Sequence, residues 1–137
     1  MWFTYALLSA LFAALTAIFA KIGIKGVDTD LATAIRTVVI LFLAWGVAFF
    51  RGGTNSIGTL TKQNMLFLIL SGIATGLSWI FYYKALQIGK VSQVAPVDKA
   101  SVAIAILLSV IFLGETLTLK MAAGAALIIA GTFILAF

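Results

Sequence analysis

The chain has 137 residues, of which 64% are hydrophobic and only 9% are charged. A soluble domain of this size needs charged residues over roughly a quarter to a third of its surface, so the composition predicts a protein embedded in a lipid bilayer. The absence of cysteine and histidine excludes disulfides and histidine-based metal sites, and we expect neither a metal nor a cofactor. The nine basic residues are scattered singly, unlike the clustered cations of a nucleic-acid-binding protein.

Charged and turn-forming residues divide the chain into five apolar segments, each near the roughly 20 residues that a spanning helix needs. These segments cover residues of about 2–20, 31–50, 64–84, 92–113 and 118–137. No basic residue precedes the first segment, so we interpret it as a retained span and not as a signal peptide. Because the connections are short, we expect an all-α membrane protein in which residues 1–137 form one transmembrane domain.

The second span contains an arginine. The uncharged stretch from Thr37 to Phe50 is too short to cross a bilayer, so Arg36 must lie inside the span, roughly 8 Å from its start at the helical rise. A charge at this depth is costly and normally faces a cavity or a partner. The alternative is that the long side chain reaches the headgroup layer.

The third span ends in aromatic and basic residues. Trp79 and Tyr83 are four residues apart and share a helical face, with Tyr82 and Lys84 beside them. Two interpretations are open for these rings: an interfacial aromatic belt, or a stacking wall for a substrate or a cation. Small residues also occur where spans are expected to pack against each other, namely at Gly72, Gly76, Gly124 and Gly131.

The fourth span contains Asp98 and Lys99, because the uncharged stretch after them is again too short to cross. Asp98 is too short to reach the headgroups, so it requires a partner, with Arg36, Lys84 and Lys99 as the candidates. Pro96 is a first-turn proline if the helix begins near Val94. If the helix begins near Lys90, the proline kinks the span two residues before Asp98.

Spans alternate in direction, so the start of the second and fourth spans and the end of the third lie at one membrane face. The candidate substrate-binding or gating residues are therefore predicted in one half of the membrane: Arg36, Trp79, Tyr82, Tyr83, Lys84, Asp98 and Lys99. They contain no nucleophile with a base beside it and no set of metal ligands. We expect a protein that is not an enzyme.

The order of several short motifs along the chain resembles one repeat of the EamA family in the drug/metabolite transporter superfamily. The resemblance rests on Ile35-Arg36-Thr37, on the stretch from Tyr82 to Gly89, on Ala95-Pro96, on Leu113-Gly114-Glu115 and on a final span rich in Gly and Ala. It implies half of a ten-helix transporter built from two five-helix repeats of opposite orientation. Such transporters move small metabolites, often amino acids.

A chain with one such repeat completes this fold only if a second copy inserts upside down. The basic residues near the span ends show little bias between the two faces, with Arg51, Lys62 and Lys120 at one and Lys21, Lys25, Lys84 and Lys90 at the other. Because this bias sets orientation, we expect dual topology and an antiparallel homodimer. The family and the short chain indicate the plasma membrane of a bacterium or archaeon.

The excess of cations inside the membrane favours a substrate that carries a carboxylate, such as an amino acid. Two alternatives are open. A proton-coupled multidrug exporter would use Asp98 as its proton carrier, although the first span, where the four-span exporters carry their carboxylate, has no ionisable residue. A non-transporting membrane scaffold or subunit is the other, although a scaffold has no reason to bear the cost of charges in lipid.

Overall fold

The computed structural model describes all 137 residues and contains six α-helices, one 3-10 helix and no strands. The 3-10 helix covers Gly53–Thr59. The α-helices are α1 (Trp2–Gly23), α2 (Thr29–Phe50), α3 (Lys62–Ile88), α4 (Val91–Lys99), α5 (Ser101–Leu113) and α6 (Leu119–Ala136).

Five helical segments are long and apolar enough to cross a membrane: α1, α2, α3, the pair α4–α5 taken together, and α6. The five predicted spans are thus confirmed as helices. Very few apolar side chains are buried within the chain, and the five that are buried are Ala17, Ala20, Ile24, Tyr83 and Leu86. A soluble protein of this size buries a large apolar core, whereas helices in a bilayer leave their apolar side chains facing lipid.

The chain divides into two compact units. The first contains residues 1–21 and 88–137, and within it α6 packs against α4 and α5. Side chains reach backbone carbonyls at the helix ends of this unit. Gln93 Nε2 donates to the carbonyl of Ala136 at 3.2 Å, and Lys21 Nζ donates to the carbonyl of Gly89 at 2.7 Å. These bonds satisfy carbonyls that helix termini leave without an intrahelical partner.

The fourth span is interrupted at Ala100, between α4 and α5. The Ala100 amide donates to the carbonyl of Val97 at 3.1 Å, in place of the usual helical acceptor, Pro96. The freed Pro96 carbonyl accepts a hydrogen bond from the Thr132 hydroxyl of α6 at 3.1 Å. The break is therefore stabilised by a side chain of the neighbouring helix, as irregular backbone within a membrane requires.

Pro96 lies well inside α4, because this helix begins at Val91 and not near Val94. Of the two interpretations of this residue, the structure matches the early helix start. The interruption nevertheless follows Asp98 and does not precede it. The proline removes one hydrogen bond toward the start of α4, and the helix tolerates that loss near its first turns. The shorter-range bond from the Ala100 amide to the Val97 carbonyl occurs farther along the span, where the Thr132 hydroxyl donates to the Pro96 carbonyl.

The second unit contains residues 22–87, and so includes α2, the 3-10 helix and α3. A five-residue connection with Gly26 at a φ of +70° leads into α2. Asp28 caps this helix, since its Oδ1 accepts from the amides of Asp30 at 3.0 Å and Leu31 at 2.9 Å. From the end of α3, Gln87 Nε2 donates to the carbonyl of Val27 at 2.9 Å and so holds the connection against α3.

The glycines predicted to mediate helix packing have open space beside them. A methyl group added at Gly72, Gly76, Gly124 or Gly131 would meet no atom within 4 Å beyond its chain neighbours and the backbone of its own helix. Close packing at these glycines stays a prediction. The open faces are consistent with a protein that assembles in the membrane.

Candidate functional site

The candidate site is built on α2 and α3, the two long helices of the second unit. α2 begins at Thr29, two residues earlier than the sequence predicts, which places Arg36 about 10 Å along the helix at the usual rise per residue. Thr29 and Thr33 are buried, and Arg36 shares their face of α2 and is half-buried. Thr33 donates its hydroxyl to the Thr29 carbonyl at 2.8 Å, so the hydroxyl is satisfied within its own helix.

The Arg36 guanidinium lies over two aromatic rings of α3. Its central carbon is 4.0 Å from the ring centroid of Trp79 and 5.5 Å from that of Tyr83. Both distances are within the range of cation–π attraction, which is stronger where water is excluded. The two rings predicted to share a face thus form a wall against a cation, and that cation is Arg36 itself.

Arg36 is held by these rings but not neutralised. Its guanidinium takes part in none of the hydrogen bonds or ion pairs of the chain. Stacking uses the faces of the planar guanidinium and leaves its N–H groups, which point outward in the plane, available to an acceptor. A half-buried arginine that lies over two rings and has free donors is suited to bidentate binding of a carboxylate or phosphate.

The other predicted charges are paired within their own units. Lys84 Nζ lies 3.5 Å from Asp30 Oδ1, and both side chains are more than half exposed. Asp98 Oδ2 accepts from Lys99 Nζ at 3.2 Å. Of the three candidate partners of Asp98, the structure therefore pairs Lys99 with it. Lys84 pairs instead with Asp30, which is not among the residues that the sequence indicates.

Tyr82 lies beside Tyr83, with ring centroids 6.4 Å apart, and is half-buried. Tyr83 is 4% exposed, so it is the better enclosed of the two tyrosines. The aromatic part of the site is therefore Trp79 and Tyr83, with Tyr82 next to Tyr83.

Three polar residues with clear structural roles were not singled out from the sequence. Asp30 pairs with Lys84, Gln87 holds the connection before α2, and Thr132 donates to the Pro96 carbonyl. A lone threonine in an apolar span is a signal that could have pointed to Thr132, because its hydroxyl needs an acceptor in lipid. Asp30 and Gln87 lie at helix ends, where polar residues are ordinary.

Comparison with known proteins finds two relatives of this chain. An uncharacterised transporter from the cobO 3' region of Sinorhizobium sp is 46% identical over 135 residues, which are 98% of this chain and 96% of that protein.

An uncharacterised protein of Methanocaldococcus jannaschii, MJ1333.1, is 39% identical over 77 residues, which are 56% of each chain. No solved structure gives a significant match.

The EamA-like transporter family matches the chain over residues 1–137. Five helices able to span a bilayer make the chain a multi-pass membrane protein, and a relative named as a transporter supports a transport function. The resemblance seen in the motif order is confirmed, and the chain belongs to the EamA-like transporter family.

Proposed function

We propose that this chain forms half of a transporter that moves small carboxylate-bearing solutes, amino acids among them, by alternating access. The observation that carries the proposal is Arg36, a half-buried cation stacked 4.0 Å above Trp79 with no acidic partner in the chain. An arginine in lipid without a counter-ion is costly, and a solute carboxylate supplies that counter-ion.

The geometry of the pair favours a carboxylate over a neutral solute. Trp79 and Tyr83 hold the guanidinium plane, so little side-chain entropy is lost when two of its N–H groups bond a carboxylate. A charge-assisted hydrogen bond of this kind contributes about 1.5–3 kcal/mol. A neutral amide in the same place would leave the arginine charge unbalanced.

The second half of the transporter is proposed to be another copy of the chain, inserted in the opposite orientation. Five crossings put the two ends of the chain at opposite faces, and the basic residues show little bias between those faces. The match to the Sinorhizobium relative covers 98% of this chain and 96% of that protein. An antiparallel pair would place one Arg36 site toward each face, as two equivalent gates around one central cavity.

The relatives also bear on location. Sinorhizobium and Methanocaldococcus are a bacterium and an archaeon, which favours the plasma membrane of a prokaryote as the site of transport.

The test is exchange of radiolabelled amino acids in proteoliposomes that contain the purified protein. We expect uptake of one or more amino acids from a panel, competed by the same unlabelled amino acid and not by its carboxamide. Arg36→Gln should lower uptake roughly 10- to 100-fold, in line with the loss of a charge-assisted pair. Uptake by Arg36→Lys should lie between that of the wild type and that of Arg36→Gln, because lysine keeps the charge but loses the planar arrangement of donors.

The matched control is Arg51→Lys, which changes an exposed arginine just after the end of α2 and keeps the number of basic residues at that face. Uptake should stay near the wild-type rate in this variant. Equal competition by the carboxamides, or full uptake by Arg36→Gln, would contradict a carboxylate site at Arg36.

The same vesicles distinguish the proton-coupled alternative. If a pH gradient drives uptake by the wild type but not by Asp98→Asn, proton coupling through Asp98 replaces simple exchange. The ion pair of Asp98 with Lys99 instead favours a structural role for this carboxylate, so we expect exchange that does not depend on the gradient.

A further inference from the structure

Asp30 carries the one carboxylate that the structure places against a cation of α2 or α3. Its Oδ1 lies 3.5 Å from Lys84 Nζ, and Lys84 directly follows Tyr83, whose ring lies under Arg36. Asp30 precedes Arg36 by six positions, or about 9 Å along α2. The ion pair and the Arg36 site therefore share the same two helices at the same end.

Two ordinary roles, capping of α2 and stabilisation of the fold by an ion pair, do not explain Asp30. The start of α2 is capped by Asp28, which accepts the amides of Asp30 and Leu31, so the Asp30 side chain is not needed for the cap. The ion pair contributes little to folding, because Lys84 and Asp30 remain 53% and 59% exposed and exposed pairs are worth at most about 1 kcal/mol. What Asp30 does change is the local charge.

We propose that Asp30 determines the charge of the solutes that the site accepts. With Asp30 present, Lys84 is neutralised and Arg36 is the unpaired cation of this end of α2 and α3, which matches one carboxylate. Without Asp30, Lys84 would be a second free cation at this end of α2 and α3, and a solute with two carboxylates would gain a second partner.

A further consequence is that Asp30 repels dianions. A second solute carboxylate that approached Lys84 would meet the negative charge of Asp30 at the same position, and like charges placed side by side lower affinity. Asp30 is therefore a specificity-determining residue that selects against doubly charged solutes, while Arg36 binds the carboxylate common to all of them. This inference rests on the proposed function of Arg36.

The test compares glutamate with glutamine, which are nearly isosteric and differ by one charge. We would measure KM and maximal rate for both in proteoliposomes with wild-type protein, Asp30→Asn, Lys84→Gln and the double variant. Asp30→Asn should shift the ratio of KM values toward glutamate by about two- to fivefold, the range expected for a partly exposed charge pair. The double variant should return the ratio to near the wild-type value, because Lys84 is the cation that becomes free.

A merely structural ion pair gives a different result. In that case Asp30→Asn and Lys84→Gln would lower thermal stability or change both solutes equally, and the KM ratio would not move. An unchanged ratio in Asp30→Asn would overturn the inference, as would a shift that persists in the double variant.

Failure here is separable from failure of the proposed function. If uptake of glutamine or glutamate depends on Arg36 but the ratio of their KM values is the same in Asp30→Asn as in the wild type, only the role of Asp30 is wrong. If neither solute is transported by the wild type, the remaining amino acids of the panel provide the matched pairs, beginning with aspartate and asparagine. If no carboxylate solute depends on Arg36, both proposals fail together.

Discussion

At the scale of single residues, the organising feature is an arginine of a membrane helix that lies over two aromatic rings of its neighbour. Insertion scales assign a charge at depth a cost of a few kcal/mol, so its surroundings must offset that cost. Trp79 at 4.0 Å and Tyr83 at 5.5 Å do so in part, through attraction between the guanidinium and the ring faces. The remaining donors are left for a ligand.

Replacing Trp79 tests whether this stacking prepares Arg36 for binding. Trp79→Ala removes the nearer ring, so the guanidinium becomes mobile and KM for the transported amino acid should rise roughly 2- to 30-fold, as for a cation–π contact of about 0.5–2 kcal/mol. Trp79→Phe keeps a ring face and should show a smaller change. KM measured in proteoliposomes gives the comparison.

The matched control is Trp45→Ala, which removes an exposed tryptophan of α2. A rise in KM of the same size in this variant would mean that loss of any large ring disturbs the protein, and it would contradict a specific role for Trp79.

Part of the candidate site could be predicted from the sequence. Arg36 was placed inside a span by the length of the uncharged stretch after it, and Trp79 with Tyr83 by their spacing on a helix. Their contact with each other could not be predicted, because helix rotation and side-chain direction depend on packing. Asp30 was not recognised, since an acidic residue in the first turn of a helix is explained by the helix dipole alone.

At the scale of helices, the fourth span shows how broken backbone is maintained in a membrane. The carbonyl of Pro96 has no helical amide, and the Thr132 hydroxyl of α6 replaces it at 3.1 Å. A second bond, from Gln93 to the end of α6, lies close by along the same pair of helices. α4 is thus bonded to α6 on one side of the break at Ala100, and α5 continues on the other.

Thr132→Val should lower the melting temperature of the purified protein in detergent. Valine has nearly the same shape but no hydroxyl, so the Pro96 carbonyl loses its donor in a largely buried place. We expect a loss of about 0.6–2 kcal/mol, which is typical of a hydrogen bond between membrane helices or of a buried group left unpaired. Circular dichroism during heating provides the measurement.

Thr75→Val is the appropriate comparison, because the Thr75 hydroxyl bonds only the Ser71 carbonyl of its own helix and is exposed. This variant should melt within a few degrees of the wild type. If Thr132→Val were no less stable than Thr75→Val, the hydroxyl would not support the break.

The number of membrane-spanning segments could be predicted from the sequence, but the position of the break in the fourth span could not. Length and hydropathy determine how many segments can cross a bilayer, and five are found. Where a proline-containing span breaks depends on which neighbouring side chain reaches the freed carbonyl. That contact joins residues far apart along the chain, Pro96 and Thr132, and no local pattern indicates it.

At the scale of the whole molecule, the proposed transporter needs two copies that face opposite ways. The open space at Gly72, Gly76, Gly124 and Gly131 leaves helix faces available for a second chain. The weak bias in basic residues allows both orientations to form from one sequence. Insertion in both orientations is therefore essential, because without it no antiparallel homodimer can form.

Cysteine labelling measures the orientation directly, since the chain contains no cysteine of its own. Ser56→Cys in the 3-10 helix and Ser92→Cys in the first turn of α4 are exposed positions on either side of α3. We would treat intact cells with a membrane-impermeant maleimide and compare the labelling with that of permeabilised cells. If the chain inserts both ways, roughly half of each cysteine should react from outside. Nearly complete labelling of one position with almost none of the other would show a single orientation and contradict the antiparallel homodimer.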